Sequence, residues 1–350
     1  MSTSSFDQLT LAEIANELIP FLCCPTHKTE LTFKSKKLIS TTGTEYPFIS
    51  HIPFLLTPLE HYRSYWLLKK QELLSSLALR TSVLDEKQKI TSSPLTKLRL
   101  KQLSEAFAYN EKKMSELLSD FFPNTISSQE AKKTLHDFYV PSQQTLTLYL
   151  ENIFRDFGDS VDGGSSSAEN QLSLEICKKL FKDLPQPIES MAVLGAGSCR
   201  LALDLHLNLA VKKTLAIDFN PLLLMIAERM LTGKNLKLYE ISSFPLSFDE
   251  VCREKILSYE HYKKISGFFP VLADFQNLPL KKEILDVVLT PWIIDILPLN
   301  FNQVIACISR ILKTGGFWIN HGPLGFMHSD PQEQLTSQEI KEKLSQTYEK

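Results

Sequence analysis

The string VLGAGSCR places Gly195 and Gly197 where a strand must turn sharply into a helix. Glycine permits such a turn and lets backbone N–H groups come close to a ligand. A third glycine is absent, and Cys199 stands in its place. Taken alone, the loop also describes an ordinary tight strand–helix turn. Asp218 closes the run KTLAIDF, 23 residues after Gly195, near the spacing of about 20 expected for a ribose-binding acid. A carboxylate there can accept hydrogen bonds from both ribose hydroxyls. Asp274 and Phe275 close GFFPVLADF, where an acid can reach an adenine amino group and an aromatic can flank its ring. Either acid alone also fits a solvated strand-end charge. In order on successive strands they point to a nucleoside-bearing ligand. Asp295 lies five residues beyond Thr290. It can orient a nucleophile and accept its proton, or serve as the first acid of a helix. His321 and His328 near the last strand are further proton-handling candidates, although a histidine there fits a structural role as well.

These residues need a scaffold, and the pattern supplies one. From Asn170 onward, helical and strand-like runs alternate: ENQLSLEICKKLFKDL, SMAVLGAG, LALDLHLNL, KTLAIDF, PLLLMIAERML, GFFPVLADF, ILDVVLTPW, NQVIACISRILK, GGFWINHGP and TSQEIKEKLSQTYEK. Alternation of this kind predicts an α/β domain with a parallel sheet and helices on both faces. Upstream, Tyr62 to Phe157 is helical in period, and the stripe Leu103, Phe107, Met114, Leu117, Phe121 reads as core packing. Asp159 to Ser167, DSVDGGSSS, is the clearest linker. Phe6 to Leu56 begins with a short helix, with Leu11, Ile14, Ala15 and Leu18 on one stripe. It continues as short β-like runs punctuated by Gly43, Pro47 and Pro53. The expected organisation is a ribbon over residues 1–60, a helical region over 61–158 and a cofactor domain over 170–350.

The totals set broad limits. The 350 residues carry 38 basic and 40 acidic side chains, a formal net charge of −2. That balance gives no electrostatic drive toward nucleic acid or an acidic membrane surface. Six scattered cysteines do not form a disulfide framework and fit a reducing, cytoplasmic compartment. The N-terminus lacks the features of a signal peptide, and no apolar run is long enough to span a bilayer.

Nicotinamide enzymes share the glycine loop and the ribose acid. The entry to the last strand, ILKTGGFWIN, instead looks like the LKPGG turn of S-adenosylmethionine-dependent methyltransferases, and Asp274–Phe275 matches their adenine site. The stretch from about Leu150 to Leu344 resembles the carnosine N-methyltransferase family through IFRDF, VLGAGSCRLAL, AIDFNPLLLMIAERML, LKLYEISSF, LADF, WIID, LKTGGFWINHGPLGF and LTSQEIKEKL. That family is cytosolic and Rossmann-like, and it methylates an imidazole nitrogen of histidine-containing dipeptides. The resemblance implies that Asn152 and Arg155 hold the methionine end of the cofactor. It puts Gly195 at the turn, Asp218 in place of a family glutamate at the ribose, and Asp274 and Phe275 at the adenine. It also puts Pro291 in place of a cysteine beside the cofactor, and Asp295 on the acceptor. S-adenosylmethionine is the implied cofactor and S-adenosylhomocysteine its product, with no metal.

Two departures bear on the acceptor. Met327 occupies the place of the family's substrate histidine, with His328 one residue later. The sequence ends at Lys350, where the family continues into two strands bearing substrate-binding tyrosines, so the sheet is expected to lack its final hairpin. The N-terminal FLCCPTHKTEL and GTEYPFISHIPFLL resemble the small zinc-ribbon proteins that activate tRNA and protein methyltransferases. Here Cys24 and His27 keep half a ligand set, while Ile39 and Thr42 occupy the other half. A structural zinc takes four ligands, so a metal-free ribbon is expected. Methylation of a small molecule or peptide is the leading expectation. RNA or protein methylation, suggested by the ribbon alone, and a non-catalytic cofactor-binding scaffold are the alternatives.

Overall fold

The computed structural model describes residues 5–119, 127–135, 146–158, 165–326 and 330–348. From the N-terminus, α1 (Leu11–Leu18) precedes the strands β1 (Leu31–Lys34), β2 (Lys37–Ser40), β3 (Glu45–Ile49) and β4 (Ile52–Pro53). Helices α2 (Leu59–Ile90), α3 (Pro94–Leu117), α4 (Ser128–Thr134), α5 (Leu150–Phe157) and α6 (Ser165–Phe181) follow. Then come β5 (Ser190–Leu194), α7 (Arg200–Asn208), β6 (Lys213–Asp218), α8 (Pro221–Leu231), β7 (Leu236–Ile241) and β8 (Cys252–Leu257). The chain closes with β9 (Phe268–Leu272), β10 (Leu285–Pro291), α9 (Phe301–Ile311), β11 (Leu312–His321) and α10 (Ser337–Ser345). The expected linker falls largely outside the described residues, and Ser165 to Ser167 open α6.

The chain divides into two compact units. One comprises Met1–Leu59, Glu169–Glu228 and His261–Lys350, and the other Glu60–Ala168 and Arg229–Glu260. The first unit holds a five-stranded sheet in the order β11-β10-β5-β6-β9, with every pairing parallel. All five residues of β5 and of β9 are buried, as expected for a sheet covered on both faces. The chain enters at β5, steps outward through β6 to β9, then crosses back to β10 and β11. The reversal places a topological switch point between β5 and β10, and ligands of open α/β sheets bind beyond the carboxyl ends of the strands at such a point. At the opposite end, Asp286 ties three strands together. Its carboxylate accepts the Ser190 N–H at 2.8 Å and hydroxyl at 3.0 Å, and pairs with Lys313 Nζ at 2.6 Å. Burial alone would raise this carboxyl, but the Lys313 and Ser190 bonds outweigh it and hold the group below its ordinary range.

The same unit contains the N-terminal ribbon. Helix α1 starts at a capping box in which Thr10 accepts the Glu13 N–H and Glu13 accepts the Thr10 N–H. Ile14, Ala15 and Leu18 of the apolar stripe are buried. Strands β1 to β4 form an antiparallel meander. Its first turn puts Ser35 and Lys36 in the left-handed region, at φ 52° and 60°, matching the twist of a two-residue hairpin. Beyond β4 the chain joins the parallel sheet: Phe54 bridges Leu272 in parallel, and the Leu55 N–H donates to the Leu272 carbonyl at 2.8 Å. The free edge of β9 is thereby covered.

In the second unit α3 buries Phe107, Met114 and Leu117. The antiparallel pair β7–β8 departs from the sequence reading, which assigned no strand between Leu236 and Leu257. Charged residues interrupt its apolar alternation and pair across the strands as Lys237–Glu254 and Lys255–Glu240. Asn110 of α3 stands in for a neighbouring strand. Its amide donates to the Tyr239 carbonyl at 2.7 Å and accepts the Tyr239 N–H at 2.8 Å. Among the described residues, no helix is long and apolar enough to cross a membrane.

Candidate functional site

At the carboxyl end of β5, Gly195, Gly197 and Cys199 all take left-handed backbone, at φ 73°, 57° and 68°. The N–H groups of Gly195 and Ala196 both donate to the Ile217 carbonyl, at 2.8 and 3.0 Å, so the turn is stitched to β6. The two glycines are needed for different reasons. A Cβ on Gly195 would come within 2.7 Å of Ile293 Cδ1, whereas one on Gly197 would meet nothing within 4 Å. Gly195 therefore makes room for Ile293, and Gly197 borders open space at the switch point. Cys199 adopts a glycine's conformation despite its Cβ, at a cost of about 1–2 kcal/mol, while its side chain is wholly buried.

Asp218 ends β6 and holds the loop. One carboxylate oxygen accepts the Gly197 N–H and the other the Asn220 N–H, each at 2.7 Å. Desolvation pushes its pKa up to about 6, against the lowering effect of bonds from Asn220, Gly197 and Phe219. Asp274 lies two residues past β9, half-buried, and accepts the Gln276 N–H at 3.0 Å. Phe275 is 6% exposed and counts among the buried apolar residues.

The carboxyl ends of β10 and β11 form the other half of the edge. Thr290 Oγ1 accepts from Trp318 Nε1 and donates to Asn320 Oδ1, both at 2.9 Å, fixing the two strands to each other. Pro291 is paired in register with His321. Trp292 then turns into the left-handed region at φ 47°, a conformation that costs a bulky residue about 1–3 kcal/mol. Its N–H donates to the His321 carbonyl at 2.9 Å, and the two rings meet edge-on at 4.6 Å. A Cβ at Gly322 would lie 2.8 Å from the Trp292 nitrogen, so glycine permits this approach.

Asp295 is 9% exposed. Its Oδ2 accepts the Gly325 N–H at 3.2 Å, whereas Oδ1 is buried with no hydrogen-bond partner among the described residues. Asp295 does not open a helix, because α9 is capped by Asn300, with Gln303 completing the capping box. His321 Nε2 is likewise buried without a partner among the described residues, and burial lowers its pKa, which favours the neutral ring. His328 and Met327 lie outside the described residues.

Asn152 and Arg155 stand on α5, in the second unit. Arg155 pairs with Asp156 at 2.9 Å. In the ribbon, Cys24 Sγ lies 3.1 Å from the Tyr46 hydroxyl and accepts the His27 N–H at 3.5 Å. Among the described residues, no three His, Cys, Asp or Glu side chains are gathered as a metal site.

A parallel sheet in this order, a glycine loop tied to an acid on the next strand and a second acid beyond β9 define a Rossmann-like fold. The chain belongs to the carnosine N-methyltransferase family, whose sequence profile matches residues 132–350. No curated protein matches the chain. Among solved structures, it is similar to a complex of the Haloferax volcanii Trm112 methyltransferase activator with a putative methyltransferase, at 15% identity and a TM-score of 0.30, covering 46% of this chain and 59% of that one. A putative S-adenosylmethionine-dependent methyltransferase from Methanococcus maripaludis matches at 14% identity and 0.32, covering 51% and 69%. A phosphoethanolamine N-methyltransferase of Haemonchus contortus, solved with S-adenosylmethionine, matches at 18% and 0.36, covering 65% and 45%.

Proposed function

We propose that the chain methylates an imidazole-like nitrogen of a small molecule or peptide, with Asp295 orienting the acceptor. The observation that carries this reading is the buried, unpartnered Oδ1 of Asp295 at the carboxyl end of β10. An unsatisfied buried carboxylate oxygen costs stability in the free protein, and an acceptor N–H would satisfy it. The cofactor side fits a nucleoside. Open space borders Gly197, Asp218 offers the remaining lone pairs of its oxygens to ribose hydroxyls, and Asp274 carries the carboxylate for the adenine amino group.

When bound, S-adenosylmethionine supplies a methyl group already activated by its sulfonium. Asp295 accepts a hydrogen bond from the N–H of the acceptor ring, which turns the lone pair of the other nitrogen toward the methyl group. As the N–CH3 bond forms, the S–CH3 bond breaks, and the ring gains a positive charge. Asp295 then takes the ring proton and passes it to solvent. His321, whose burial favours the neutral ring, is the second group able to accept a proton at this edge, and the sequence offers His328 as a third.

The test uses purified chain, methyl-labelled cofactor and a panel of histidine-containing dipeptides, free imidazoles, unmodified peptides and tRNA. Label on the imidazole compounds supports the reading. Label on tRNA or peptide backbones alone would replace the acceptor class, and binding of NAD in place of S-adenosylhomocysteine in calorimetry would remove the cofactor assignment.

A further inference from the structure

Within the loop carrying Asp274, the Gln276 N–H donates to the Asp274 carboxylate at 3.0 Å and the Asn277 N–H to the Asp274 carbonyl at 3.1 Å. Its flanks are fastened by the N-terminal ribbon. On the upstream side, Phe54 and Leu55 pair with Leu272. On the downstream side, the Cys23 N–H donates to the Pro279 carbonyl at 2.9 Å, Leu22 bridges Leu280, and the Lys281 N–H donates to the Phe21 carbonyl at 2.9 Å. Lys28 Nζ joins the two segments, donating to the Pro25 carbonyl of the ribbon at 2.6 Å and to the Leu278 carbonyl at 3.1 Å. Arg310 of α9 completes the set, donating to the carbonyls of Leu280 and Leu278 at 2.7 and 3.2 Å. At the surface, Glu30 pairs with Lys281 at 2.8 Å.

Apart from those of Arg310, these bonds fall on residues just before and after 273–277 and come from two separated stretches of the ribbon. We propose that the ribbon is a positioning element for cofactor recognition: residues 21–28 and 54–55 clamp both ends of the Asp274 loop and set where its carboxylate meets the adenine. This inference rests on the reading of Asp274 as the adenine contact. The chemistry of the clamp suits the task. Backbone pairing fixes the path of the loop, and the ammonium of Lys28 adds a charge-assisted bond at the point where the loop leaves Leu278. A small displacement of a charged acceptor is enough to weaken a directional hydrogen bond to an amino group.

The experiment compares wild-type protein with Lys28→Met, Lys28→Arg and the surface variant Glu30→Lys. Each is measured for affinity toward S-adenosylhomocysteine and S-inosylhomocysteine, which differ at the amino group that Asp274 would read. Hydrogen exchange over 273–278 and thermal melting are followed in parallel. The expected result for Lys28→Met is faster exchange in the loop, about fivefold weaker binding of the adenosyl ligand and little change for the inosyl ligand. Lys28→Arg should restore the preference, and Glu30→Lys should show a smaller change in the same direction. A lower melting temperature with the adenosyl preference intact would overturn the clamp and leave the ribbon a purely structural part. If Lys28→Met does not fold, Glu30→Lys decides by the same ratio. Failure of wild-type protein to prefer the adenosyl ligand would instead overturn the role of Asp274, a distinguishable outcome.

Discussion

At the carboxyl edge of the sheet, the β5–β6 side and the β10–β11 side treat their polar groups in opposite ways. On the first, each Asp218 oxygen already holds a backbone N–H, and the loop N–H groups of Gly195 and Ala196 are spent on Ile217. On the second, Asp295 Oδ1 and His321 Nε2 are buried without partners among the described residues, beside a tryptophan in left-handed backbone. An unmade buried hydrogen bond costs about 1–3 kcal/mol, as does the backbone strain. The contrast separates two tasks. One side is complete before any ligand arrives and keeps its shape. The other holds polar atoms whose partners a ligand would supply, and such local violations concentrate where a protein does chemistry.

The contrast breaks most clearly at Asp295. Asp295→Asn keeps an oxygen for the Gly325 N–H but removes the charge and the proton acceptor. On the true acceptor, kcat should fall by about 10²–10⁴, with S-adenosylhomocysteine affinity within about twofold of wild type and melting unchanged, a split that assigns the loss to the chemical step. Unchanged turnover would move the proton-handling role to His321 or His328.

The next effect tests the completed side. Asp218→Asn, chosen over alanine so that one of the two backbone N–H groups on the carboxylate keeps an oxygen to meet, should weaken S-adenosylhomocysteine binding by about tenfold or more, through the lost charge on the ribose bonds and the N–H left facing the amide nitrogen. The pKa of about 6 adds a pH signature. Because it is raised above the ordinary 3.8, the linked stability is fully present below the unfolded value and lost as pH rises through about 6. Ribose hydroxyls prefer the ionised form, so affinity should fall as pH drops through about 6, and the asparagine variant should give a flat profile there. A slope identical in both proteins would assign the titration to another group.

Much of this contrast was legible in the sequence, and the illegible part has a physical reason. The glycine turn, the alternation of helices and buried strands and the order of the acids are local patterns, and the sheet of the first unit has the parallel arrangement they imply. Charge density on β7 and β8 masked their alternation. Trp292 carried a weak signal, an aromatic directly after a proline at a strand end, but its left-handed backbone is set by Gly322 and His321, thirty positions on. The pairing of the ribbon with 272–280 runs largely through main-chain carbonyls, which every residue carries and no side-chain pattern reports. The unpartnered atoms of Asp295 and His321 are outcomes of packing, invisible until the strands are assembled.

At the opposite end of the sheet, Asp286 offers a control for both sides, since it is satisfied and remote from any ligand. Its folded pKa is depressed. Its contribution to stability should therefore be present above the unfolded value and be lost as pH falls through the folded one. Asp286→Asn should cost about 2 kcal/mol near neutral pH, read by denaturant unfolding, with the difference from wild type shrinking below about pH 4. Cofactor affinity should not move. A loss of affinity equal to that of Asp218→Asn would mean that stability alone explains both.

The smallest effect concerns Cys199, where the completed side carries a strain of its own. The left-handed backbone favours glycine by about 1–2 kcal/mol, while the buried sulfur and Cβ favour cysteine by roughly 1–2 kcal/mol of burial. Glycine also gains unfolded-state freedom worth about 0.5–1 kcal/mol. These contributions nearly cancel, so Cys199→Gly should leave stability within about 1 kcal/mol of wild type. Cys199→Ala keeps the strain and loses the sulfur, so it should be the less stable of the two. Denaturant midpoints of the two variants decide the order. If alanine is the more stable, the strain at position 199 is smaller than its φ implies, and the loop is shaped by the Asp218–Gly197 bond and the Ile217 carbonyl alone. If glycine is the more stable, the cysteine sits where the backbone wants a glycine, and burial of its side chain is what keeps it there.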